Sequence, residues 1–364
     1  MNILITLTSN KRRSINNSLK KILLSVVSVN KDNSLNVFGL IEKTEIDENY
    51  RTVKNSGAKI LALDKESVFA EISKVREIVR QNEINIIHCA GFKQLAFYYI
   101  STLGLNMDLS IVMTERDTAR WETKVKRLTS KVTLYITKPN LHILNRNHFK
   151  YLQKYKNLYK NIAIIHNSVE LAMDKLESGL DLRSTYFNAC YIKSIRDDTG
   201  HGDIIKLGLS IKESEAKILI HVIGGGPGFQ NFIAKTIEHE LEGIIVTYGH
   251  VEHKKAISML SEMDLGITTS PLEMMPNFVL ECFSVGIPVI GYKTQGIEDL
   301  IVDKVNGYLL PIGDIEFFFQ KLKHLQKDTK KLKELSANAL FAASENSIEN
   351  IGGQIVEFYK KIRK

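Results

Sequence analysis

The sequence predicts an α/β protein made of two doubly wound, Rossmann-like domains. The chain has 364 residues, and a globular domain commonly holds about 150 residues, so two domains are expected. Short apolar runs alternate with longer segments whose apolar residues recur at helical spacing, and both halves of the chain show this alternation. Such β-α-β-α alternation is typical of a parallel sheet covered by helices on both faces.

The first half supplies a series of candidate strands separated by helical patterns. In the predicted helix 67–81, for example, apolar residues recur at Val68, Ile72, Val75 and Val79. That spacing places them on one face of a helix. The predicted strands are residues 2–7, 35–40, 59–63, 84–88, 109–114, 132–136 and 162–165.

The second half repeats the scheme, and the two domains are expected to join near residues 167–171. The predicted strands are residues 186–192, 216–222, 243–247, 265–268, 288–291 and 307–310. The predicted helices are residues 229–239, 253–261, 276–285, 315–325, 328–344 and 347–362. No predicted strand follows the last helix.

Composition excludes several classes of protein. With 44% hydrophobic and 25% charged residues, wholesale disorder is excluded. Cys89, Cys190 and Cys282 lie far apart with no CxxC, which disfavours a disulfide scaffold or a clustered-cysteine zinc site and favours a reducing cytosol. Basic residues follow the first apolar run rather than precede it, so no secretory signal is expected. No run of 18 apolar residues predicts a transmembrane helix.

The net charge of +8 is unevenly distributed along the chain. Residues 1–170 hold 27 Lys and Arg against 15 Asp and Glu, whereas residues 171–364 hold 22 against 26. A basic half favours phosphate, nucleic acid or an anionic membrane as partner. A general lysine bias on solvated faces is the alternative. Nucleic acid is disfavoured, because neither a helix-turn-helix nor RNA-binding aromatic motifs occur.

A glycine-rich turn, G-G-G-P-G at 224–228, follows a predicted strand and precedes a predicted helix. Glycine lets the backbone turn tightly and approach a ligand, with helix-end N–H groups behind it. The turn is neither GxGxxG nor a P-loop. A purely structural turn is therefore the alternative interpretation.

Two glutamates eight residues apart, Glu273 and Glu281, flank the start of a predicted helix. Pro276 suits the first turn of that helix, which places Glu273 in the preceding loop and Glu281 more than one turn inside. The N–H groups and dipole of a helix start favour an anion. The two acids could therefore bind hydroxyl groups on separate parts of one phosphate-containing ligand, with solvated helix charges as the alternative.

The wider run around this pair is more specific. It reads S-P-L-E-M-M-P-N-F-V-L-E-C-F-S-V-G-I-P-V-I-G over 270–291, then G-I-E-D-L-I over 296–301 and N-G-Y-L-L-P-I-G-D over 306–314. In length and order it strongly resembles the C-terminal signature of the GT-B glycosyltransferases of family 4. Segments at 164–170, 224–227, 248–251 and 86–88 resemble other parts of that family.

The resemblance implies two Rossmann-like domains that face a central cleft in the GT-B architecture. It also implies a retaining enzyme that uses a nucleotide-sugar. The expected boundaries are 1–166 for the acceptor domain, 167–345 for the donor domain, and 346–364 for a helix that crosses back to the first domain.

The resemblance also assigns expected roles around the donor. Glu273 would contact the sugar hydroxyl groups as a catalytic residue, and Glu281 would contact the ribose. Backbone N–H groups would hold sugar and pyrophosphate, and two further positions would line the donor site. The N–H groups are those of Met274, Met275, Asn277 and Phe278, and the further positions are Gly225 and Val251.

One expected feature is altered in this sequence. The family places Arg and Lys in G-R-L-x-x-E-K-G, where they neutralise the departing pyrophosphate. An ungapped match on Gly200 puts Ser194 and Thr199 at those two positions.

A match shifted onto Gly202, with a one-residue gap, brings Arg196 and His201 to the basic positions instead. A developing diphosphate needs positive charge. We therefore favour Arg196 as the catalytic cation, with Lys193 or His201 as its helper. Solvated loop charges are the alternative.

On the acceptor side, the first loop carries basic residues where the family often has Gly-Gly. Lys11, Arg12 and Arg13 are candidates for phosphate contact on the donor or on a lipid-linked acceptor, and a solvated loop is equally compatible. His88 and Arg116 are candidates to line the acceptor side, although a buried, hydrogen-bonded His88 fits the sequence as well.

These features together predict a retaining hexosyltransferase of bacterial surface glycan synthesis: O-antigen, capsule or lipopolysaccharide. UDP is favoured as the nucleotide on frequency alone, and no metal or other cofactor is expected. The acceptor is a glycan or lipid-linked glycan. The protein is expected in the cytoplasm with peripheral contact to the inner membrane. Arg120, Trp121 and Lys124 could form a membrane or acceptor face, although a tryptophan buried in the core is the favoured interpretation. The alternative is a catalytically idle GT-B module that scaffolds a partner glycosyltransferase.

Overall fold

The chain divides into two compact units. The computed structural model describes residues 1–7, 13–42, 53, 55–64, 67–115, 123–171, 185–196, 199–273 and 275–363. Unit 1 comprises Met1–Ser168 together with Ser347–Lys364, and unit 2 comprises Val169–Asn346. Each unit is described by itself below.

Within its described residues, unit 1 has a sheet of seven parallel strands: β1 (Asn2–Leu7), β2 (Asn36–Glu42), β3 (Lys59–Leu63), β4 (Ile86–Ala90), β5 (Ser110–Glu115), β6 (Asn140–Ile143) and β7 (Ile162–Ile164). Their order in the sheet is β3-β2-β1-β4-β5-β6-β7. The central β1, with sequence NILITL, is buried along nearly its whole length, because helices cover both faces of a doubly wound sheet.

The helices of unit 1 connect successive strands. They are α1 (Arg13–Ser28), α2 (Val68–Gln81), α3 (Gly91–Thr102), α4 (Lys124–Thr137) and α5 (Arg146–Leu152), and a 3₁₀ turn follows at Gln153–Leu158. Two apolar clusters, one on each face of the sheet, form the core of this unit.

The sheet of unit 2 has six parallel strands in the described part of the chain: β8 (Phe187–Ile192), β9 (Ile218–Ile223), β10 (Ile245–Gly249), β11 (Leu265–Thr268), β12 (Val289–Tyr292) and β13 (Gly307–Leu310). Their order is β10-β9-β8-β11-β12-β13. The helices are α6 (His201–Ser214), α7 (Phe229–Glu238), α8 (His253–Leu260), α9 (Asn277–Ser284), α10 (Ile315–Lys327) and α11 (Thr329–Glu345).

The terminal helix α12 (Ile348–Ile362) belongs to unit 1 and packs against α1. Gly352 makes this close contact possible, because a Cβ atom at that position would lie 1.9 Å from the carbonyl oxygen of Ser25. The apolar side of α12, which includes Ile355 and Tyr359, is buried in the core of unit 1.

The predicted pair of doubly wound parallel sheets is confirmed. One element was predicted wrongly: residues 132–136 lie inside α4, and β6 follows at Asn140–Ile143. The run V-T-L-Y-I has the β-branched, alternating character of a strand. The helix instead continues to Thr137 and ends where Lys138 adopts a left-handed conformation before Pro139.

Both sheets contain a point at which the strand order reverses. In unit 1 this point lies between β1 and β4, and in unit 2 it lies between β8 and β11. Loops leave such neighbouring strands in opposite directions, which opens a crevice beyond their carboxyl ends where ligands bind in this fold class.

Candidate functional site

The reversal point of the second sheet brings two charged residues together. Lys193 directly follows β8, and Glu273 lies in the loop after β11. Nζ of Lys193 and Oε1 of Glu273 form an ion pair, with about a fifth of each side chain exposed. Partial burial weakens solvent screening of such a pair, while the remaining exposure leaves it accessible to a ligand.

The loop that carries Glu273 is fixed by its backbone. The carbonyl oxygen of Glu273 accepts a hydrogen bond from the N–H of Gly296 at 2.9 Å, which ties the loop after β11 to the loop after β12. Nearby Thr294 is buried, and its Oγ1 has no hydrogen-bond partner among the described residues. The Glu273 carboxylate is thus presented by two connected loops rather than by one.

The glycine-rich turn at 224–228 packs against the loop that carries Lys193. Gly224 and Gly226 have φ values of +142° and +141°. A Cβ atom on Gly224 would lie 2.0 Å from the carbonyl oxygen of Lys193, and one on Gly226 would lie 2.6 Å from that of Ile195. The glycines let this turn pack directly on the Lys193 loop.

Gly225, predicted to contact the donor, contributes through its backbone to the same packing. Its carbonyl accepts from the N–H of Ile195 at 2.9 Å, and the N–H of Gly224 donates to the carbonyl of Gly249 at 2.7 Å. The latter bond joins this turn to the turn after β10, where Val251 is half-buried. The predicted donor positions therefore lie on loops at the same edge of the sheet.

The helix α9 presents its N-terminus beside Glu273. Pro276 occupies the N-cap position, and proline has no side-chain oxygen with which to cap the first-turn N–H groups. Asn277 and Phe278 begin the helix, and Glu281 is half-buried in its second turn. This arrangement suits an anion at the helix start.

The same helix is held against the sheet by a close contact. A Cβ atom on Gly266 of β11 would lie 2.6 Å from Sγ of Cys282. Val279 and Phe283 bury the apolar side of the helix. Met275, just before the helix, is also buried, whereas Met274 lies outside the described residues.

The start of α6 distinguishes the two possible matches of the basic segment. Gly200 occupies the N-cap with a φ of +75°, and a Cβ atom there would lie 2.0 Å from the carbonyl oxygen of Thr269. A Cβ atom on Gly202 would meet open space. The glycine that the backbone requires is thus Gly200, which leaves Ser194 and Thr199 at the two basic positions of the family pattern.

Arg196 and His201, predicted as basic site residues, have their polar backbone and ring atoms engaged locally. The carbonyl oxygen of Arg196 accepts from Oγ1 of Thr199 at 2.6 Å and from Nδ1 of His201 at 2.9 Å. The His201 ring is largely buried and meets Phe232 edge-on, while the Arg196 side chain is exposed. Of the three cations predicted to neutralise the pyrophosphate (Lys193, Arg196 and His201), Lys193 is the one paired with Glu273.

Thr269 and Gly296 were not identified from the sequence, although both shape this site. Oγ1 of Thr269 donates to the carbonyl of Gly200 at 2.8 Å, and Gly296 anchors Glu273 as described above. Thr269 belongs to no recognisable motif, because its role depends on a contact between distant loops. Gly296 lies within the G-I-E-D-L-I segment, which did provide a signal.

A buried histidine lies on the neighbouring strand β9. His221 contacts Asn188 Oδ1 through Nε2 at 3.0 Å and the Tyr248 hydroxyl through Nδ1 at 2.9 Å. Burial lowers the pKa of His221 to about 4. At neutral pH the ring is therefore uncharged, with Nε2–H donating to Asn188 and Nδ1 accepting from Tyr248.

Among the residues predicted for the acceptor side, His88 is fully buried in β4 within a chain of hydrogen bonds. Its Nδ1 lies 2.5 Å from the Tyr359 hydroxyl and its Nε2 lies 2.7 Å from Oγ1 of Thr114, which is 3.0 Å from Nδ1 of His142. Nε2 of His142 is 2.9 Å from the carbonyl oxygen of Ile165. Burial lowers the pKa of His88 well below its usual range, and the nearby His142 lowers it further.

The donor and acceptor roles along this chain of hydrogen bonds follow from its last member, the carbonyl group of Ile165. A carbonyl oxygen only accepts, so Nε2 of His142 carries the proton, and Nδ1 of a neutral His142 must accept from Thr114. Thr114 then accepts from Nε2–H of His88, and His88 accepts from Tyr359. Each group has its partner, so His88 occupies the buried, hydrogen-bonded role that the sequence left open.

The other acceptor-side predictions are not located by the structure. Lys11, Arg12 and Arg116 lie outside the described residues, as do Arg120 and Trp121, and Arg13 is the first residue of α1. Within the described ranges, no group of three or more His, Cys, Asp or Glu residues is arranged to hold a metal ion. None of the helices described is long and apolar enough to cross a bilayer.

Comparison with known proteins agrees with this geometry. Residues 173–340, nearly all of unit 2, match the family model described as Glycosyl transferases group 1. The N-acetyl-alpha-D-glucosaminyl L-malate synthase of Bacillus anthracis is 28% identical over 153 residues, which cover 42% of this chain and 38% of that protein. The putative colanic acid biosynthesis glycosyltransferase WcaL of Escherichia coli K12 is 26% identical over 129 residues, which cover 34% of this chain and 32% of that protein. The chain thus spans about a third of the length of these relatives.

The fold has relatives among solved structures over its whole length. The crystal structure of Anabaena Alr3699/HepE in complex with UDP superposes with a TM-score of 0.79 at 15% identity and covers 99% of this chain and 100% of that one. This likeness shows the GT-B fold, and the predicted fold class is confirmed.

Proposed function

We propose that this chain is a retaining glycosyltransferase that transfers a hexose from a UDP-sugar to a hydroxyl group of a bacterial surface glycan or lipid-linked acceptor. Unit 2 binds the donor, and the basic unit 1 binds the acceptor. The Lys193–Glu273 ion pair beside the start of α9 carries this proposal. It offers a carboxylate for sugar hydroxyl groups and a cation for phosphate at one place.

Donor binding exchanges the partners of this pair. Sugar hydroxyl groups donate to the Glu273 carboxylate, and the Lys193 ammonium turns to the β-phosphate. Backbone N–H groups at the start of α9 bind the same pyrophosphate, because the helix dipole favours negative charge there. Glu281, one turn further along, accepts hydrogen bonds from the ribose.

The chemical step places charge where these groups can stabilise it. The bond between C1 of the sugar and the β-phosphate oxygen breaks, and the acceptor oxygen bonds to C1 on the same face. The acceptor's hydroxyl proton passes to the departing phosphate oxygen, so no strong side-chain base is required. Lys193 stabilises the diphosphate as its charge develops, and this preorganised stabilisation is the main contribution of the site.

Relatives support the proposed substrates. The HepE structure was determined with UDP, and the name of WcaL refers to colanic acid, which supports a bacterial glycan as acceptor. The excess of positive charge in residues 1–170 suits a phosphate-bearing, lipid-linked acceptor at the cytoplasmic face of a membrane. We further propose that the reaction needs no metal ion, since Lys193 and the helix start supply the positive charge.

A panel of nucleotide-sugars tests the donor directly. A donor present at about 100 times its Kd should stabilise the folded chain by about 2.7 kcal/mol, visible as a raised Tm. The best stabiliser is then assayed for donor hydrolysis and transfer. Glu273→Ala should lower kcat/KM by about 10- to 100-fold, because a hydrogen bond to a charged group contributes about 1.5–3 kcal/mol.

The control is Glu240→Ala in the same unit. Glu240 also pairs with a lysine, Lys212, but its side chain is largely exposed. Glu240→Ala should leave transfer unchanged. Equal activity of Glu273→Ala and the wild-type chain would refute the assignment of this site.

A catalytically idle module is the second candidate, and Ser194 and Thr199 at the family's basic positions favour it. That function requires a partner enzyme that co-purifies with the chain and needs it for activity. Calorimetry with UDP and UDP-sugars separates the two, because the idle module binds neither, whereas the transferase binds both.

A further inference from the structure

The helix α4 of unit 1 has an exposed apolar face. Its buried residues are Ser130 and Leu134. Five larger apolar residues point away from the unit instead, with 49% to 74% of each exposed. They are Val125, Leu128, Val132, Tyr135 and Ile136.

These five residues form one continuous stripe. At about 100° per residue, they fall within an arc of about 100° on the helix surface, and Ser130 and Leu134 lie on the opposite side. A surface helix of a globular protein normally turns such a stripe toward the core. A contiguous exposed apolar stripe instead marks a surface that contacts a partner.

The charge of the same helix indicates what that partner is. Its 14 residues, KVKRLTSKVTLYIT, contain four basic residues and no acidic one. Lys124, Lys126 and Arg127 lie in the first turn, Lys131 follows one turn later, and Lys138 caps the helix end. A second copy of this helix would bring like charges together, whereas an anionic lipid surface complements both the charge and the apolar stripe.

The position of α4 relates it to the acceptor. It follows β5, whose carboxyl end is Glu115, and a helix that connects parallel strands begins at the carboxyl edge of the sheet. The basic first turn is therefore at the edge where ligands bind in this fold class.

We infer that α4 is a membrane-docking helix that binds an anionic phospholipid surface. Its stripe Val125–Leu128–Val132–Tyr135–Ile136 enters the headgroup boundary, and the exposed Lys124 and Lys126 contact the lipid phosphates. The link to a lipid-linked acceptor rests on the proposed function, whereas the docking itself does not.

Vesicle flotation with the full chain tests the inference. We expect binding to vesicles of equal parts phosphatidylglycerol and phosphatidylcholine, and little binding to phosphatidylcholine alone. Raising the salt from about 0.1 M to about 1 M shortens the screening length from about 10 Å to about 3 Å, and should release the protein.

Two variants separate the charged and apolar contributions. The double substitution Lys124→Gln and Lys126→Gln should weaken partition by about 25-fold, since each basic residue near an anionic surface contributes about fivefold. The triple substitution Leu128→Gln, Val132→Gln and Ile136→Gln should weaken it at least tenfold. All five side chains are exposed, and unchanged unfolding curves verify that both variants fold.

Matched controls lie on other helices. Val68→Gln with Phe69→Gln removes equally exposed apolar side chains from α2 in the same unit. Lys330→Gln with Lys333→Gln removes two charges from α11 in unit 2. Both controls should float with anionic vesicles like the wild-type chain.

Three results would overturn the inference. The first is absence of wild-type binding to anionic vesicles, and the second is equal binding by the wild-type chain and both α4 variants. The third is a dimer in sedimentation that the α4 substitutions dissociate without any vesicle binding, which would identify a second copy as the partner. Donor hydrolysis in solution reports separately on the proposed function, because the α4 variants should retain it and Glu273→Ala should lower it by about 10- to 100-fold.

Discussion

At the carboxyl edge of the second sheet, Lys193 and Glu273 form a partly exposed ion pair, whereas in the first sheet His88 is buried in a chain of neutral hydrogen bonds. Both features lie on or beside strands at a point where the strand order reverses. The ion pair can exchange its partners for a ligand. The chain from Tyr359 to Ile165 already pairs every donor with an acceptor, so its evident role is to hold α12 on unit 1.

The comparison shows that a polar residue near a strand end is not by itself a site. Glu273 and His88 both lie in segments that resemble the family, and the difference in their burial separates their roles. A buried ring loses its charge to desolvation, as the lowered pKa of His88 indicates. The partly exposed pair keeps its charges and its access to solvent.

The largest effect should come from the turn that supports Lys193. Gly224→Ala places a Cβ atom 2.0 Å from a backbone oxygen at a φ of +142°, which should lower the free energy of unfolding by about 3 kcal/mol. Gly225→Ala is the matched control, because its Cβ atom would meet His250 at an ordinary 3.6 Å. Urea titration measures both, and equal stability of the two variants would contradict the proposed packing.

The second-largest effect should come from loss of the Lys193 charge, which should lower activity. Lys193→Met keeps the aliphatic chain and removes the charge, so kcat/KM should fall by about 100-fold through lost stabilisation of the diphosphate. Lys212→Met, which breaks the exposed pair with Glu240, should leave transfer unchanged. If Arg196→Met lowers transfer by 100-fold and Lys193→Met does not, Arg196 is the catalytic cation.

A smaller effect is expected on the histidine side. Tyr359→Phe leaves the ring in place but removes the donor to Nδ1 of His88, which should lower the free energy of unfolding by about 1–3 kcal/mol. Tyr135→Phe, at an exposed position, should change nothing. If Tyr359→Phe kept its stability but abolished transfer, the hydrogen-bond chain of His88 would be part of the site and would not differ in role from the Lys193–Glu273 pair.

The last expected effect is a pH dependence. The pKa of His221 falls to about 4 on burial, against about 6.5 in the unfolded chain. Above pH 6.5 both states are neutral and stability is full. As the pH falls toward 4, only the unfolded chain takes up the proton, so stability decreases by up to about 1.4 kcal/mol per pH unit.

Urea unfolding at pH 7 and pH 5 measures this dependence. His221→Gln should make it shallower, while His253→Gln at an exposed position of α8 should not. The same slope in all three proteins would show that His221 is not responsible.

The order of elements and the motif that carries Glu273 and Glu281 could be predicted from the sequence because both depend on local patterns. Predicted strands and helices of unit 2 end within two residues of the observed ones, since apolar periodicity and turn residues specify them. The placement of Glu273 before α9 and Glu281 within it followed from Pro276 alone. The strand predicted at 132–136 was wrong because Val132, Tyr135 and Ile136 face solvent on α4, where periodicity cannot indicate the exposed side.

By itself, then, the sequence determined two doubly wound sheets and the identity of the glutamate pair, because side-chain periodicity and helix-start chemistry act over a few residues. Only the tertiary structure decided which cation meets Glu273, because Lys193 and Glu273 are 80 residues apart in the chain and meet where β8 and β11 pair. It also decided that Gly200 rather than Gly202 is required, since the contact with Thr269 belongs to another loop. The burial that neutralises His88 comes from a helix 271 residues away, and no local pattern can specify a contact made across the whole chain.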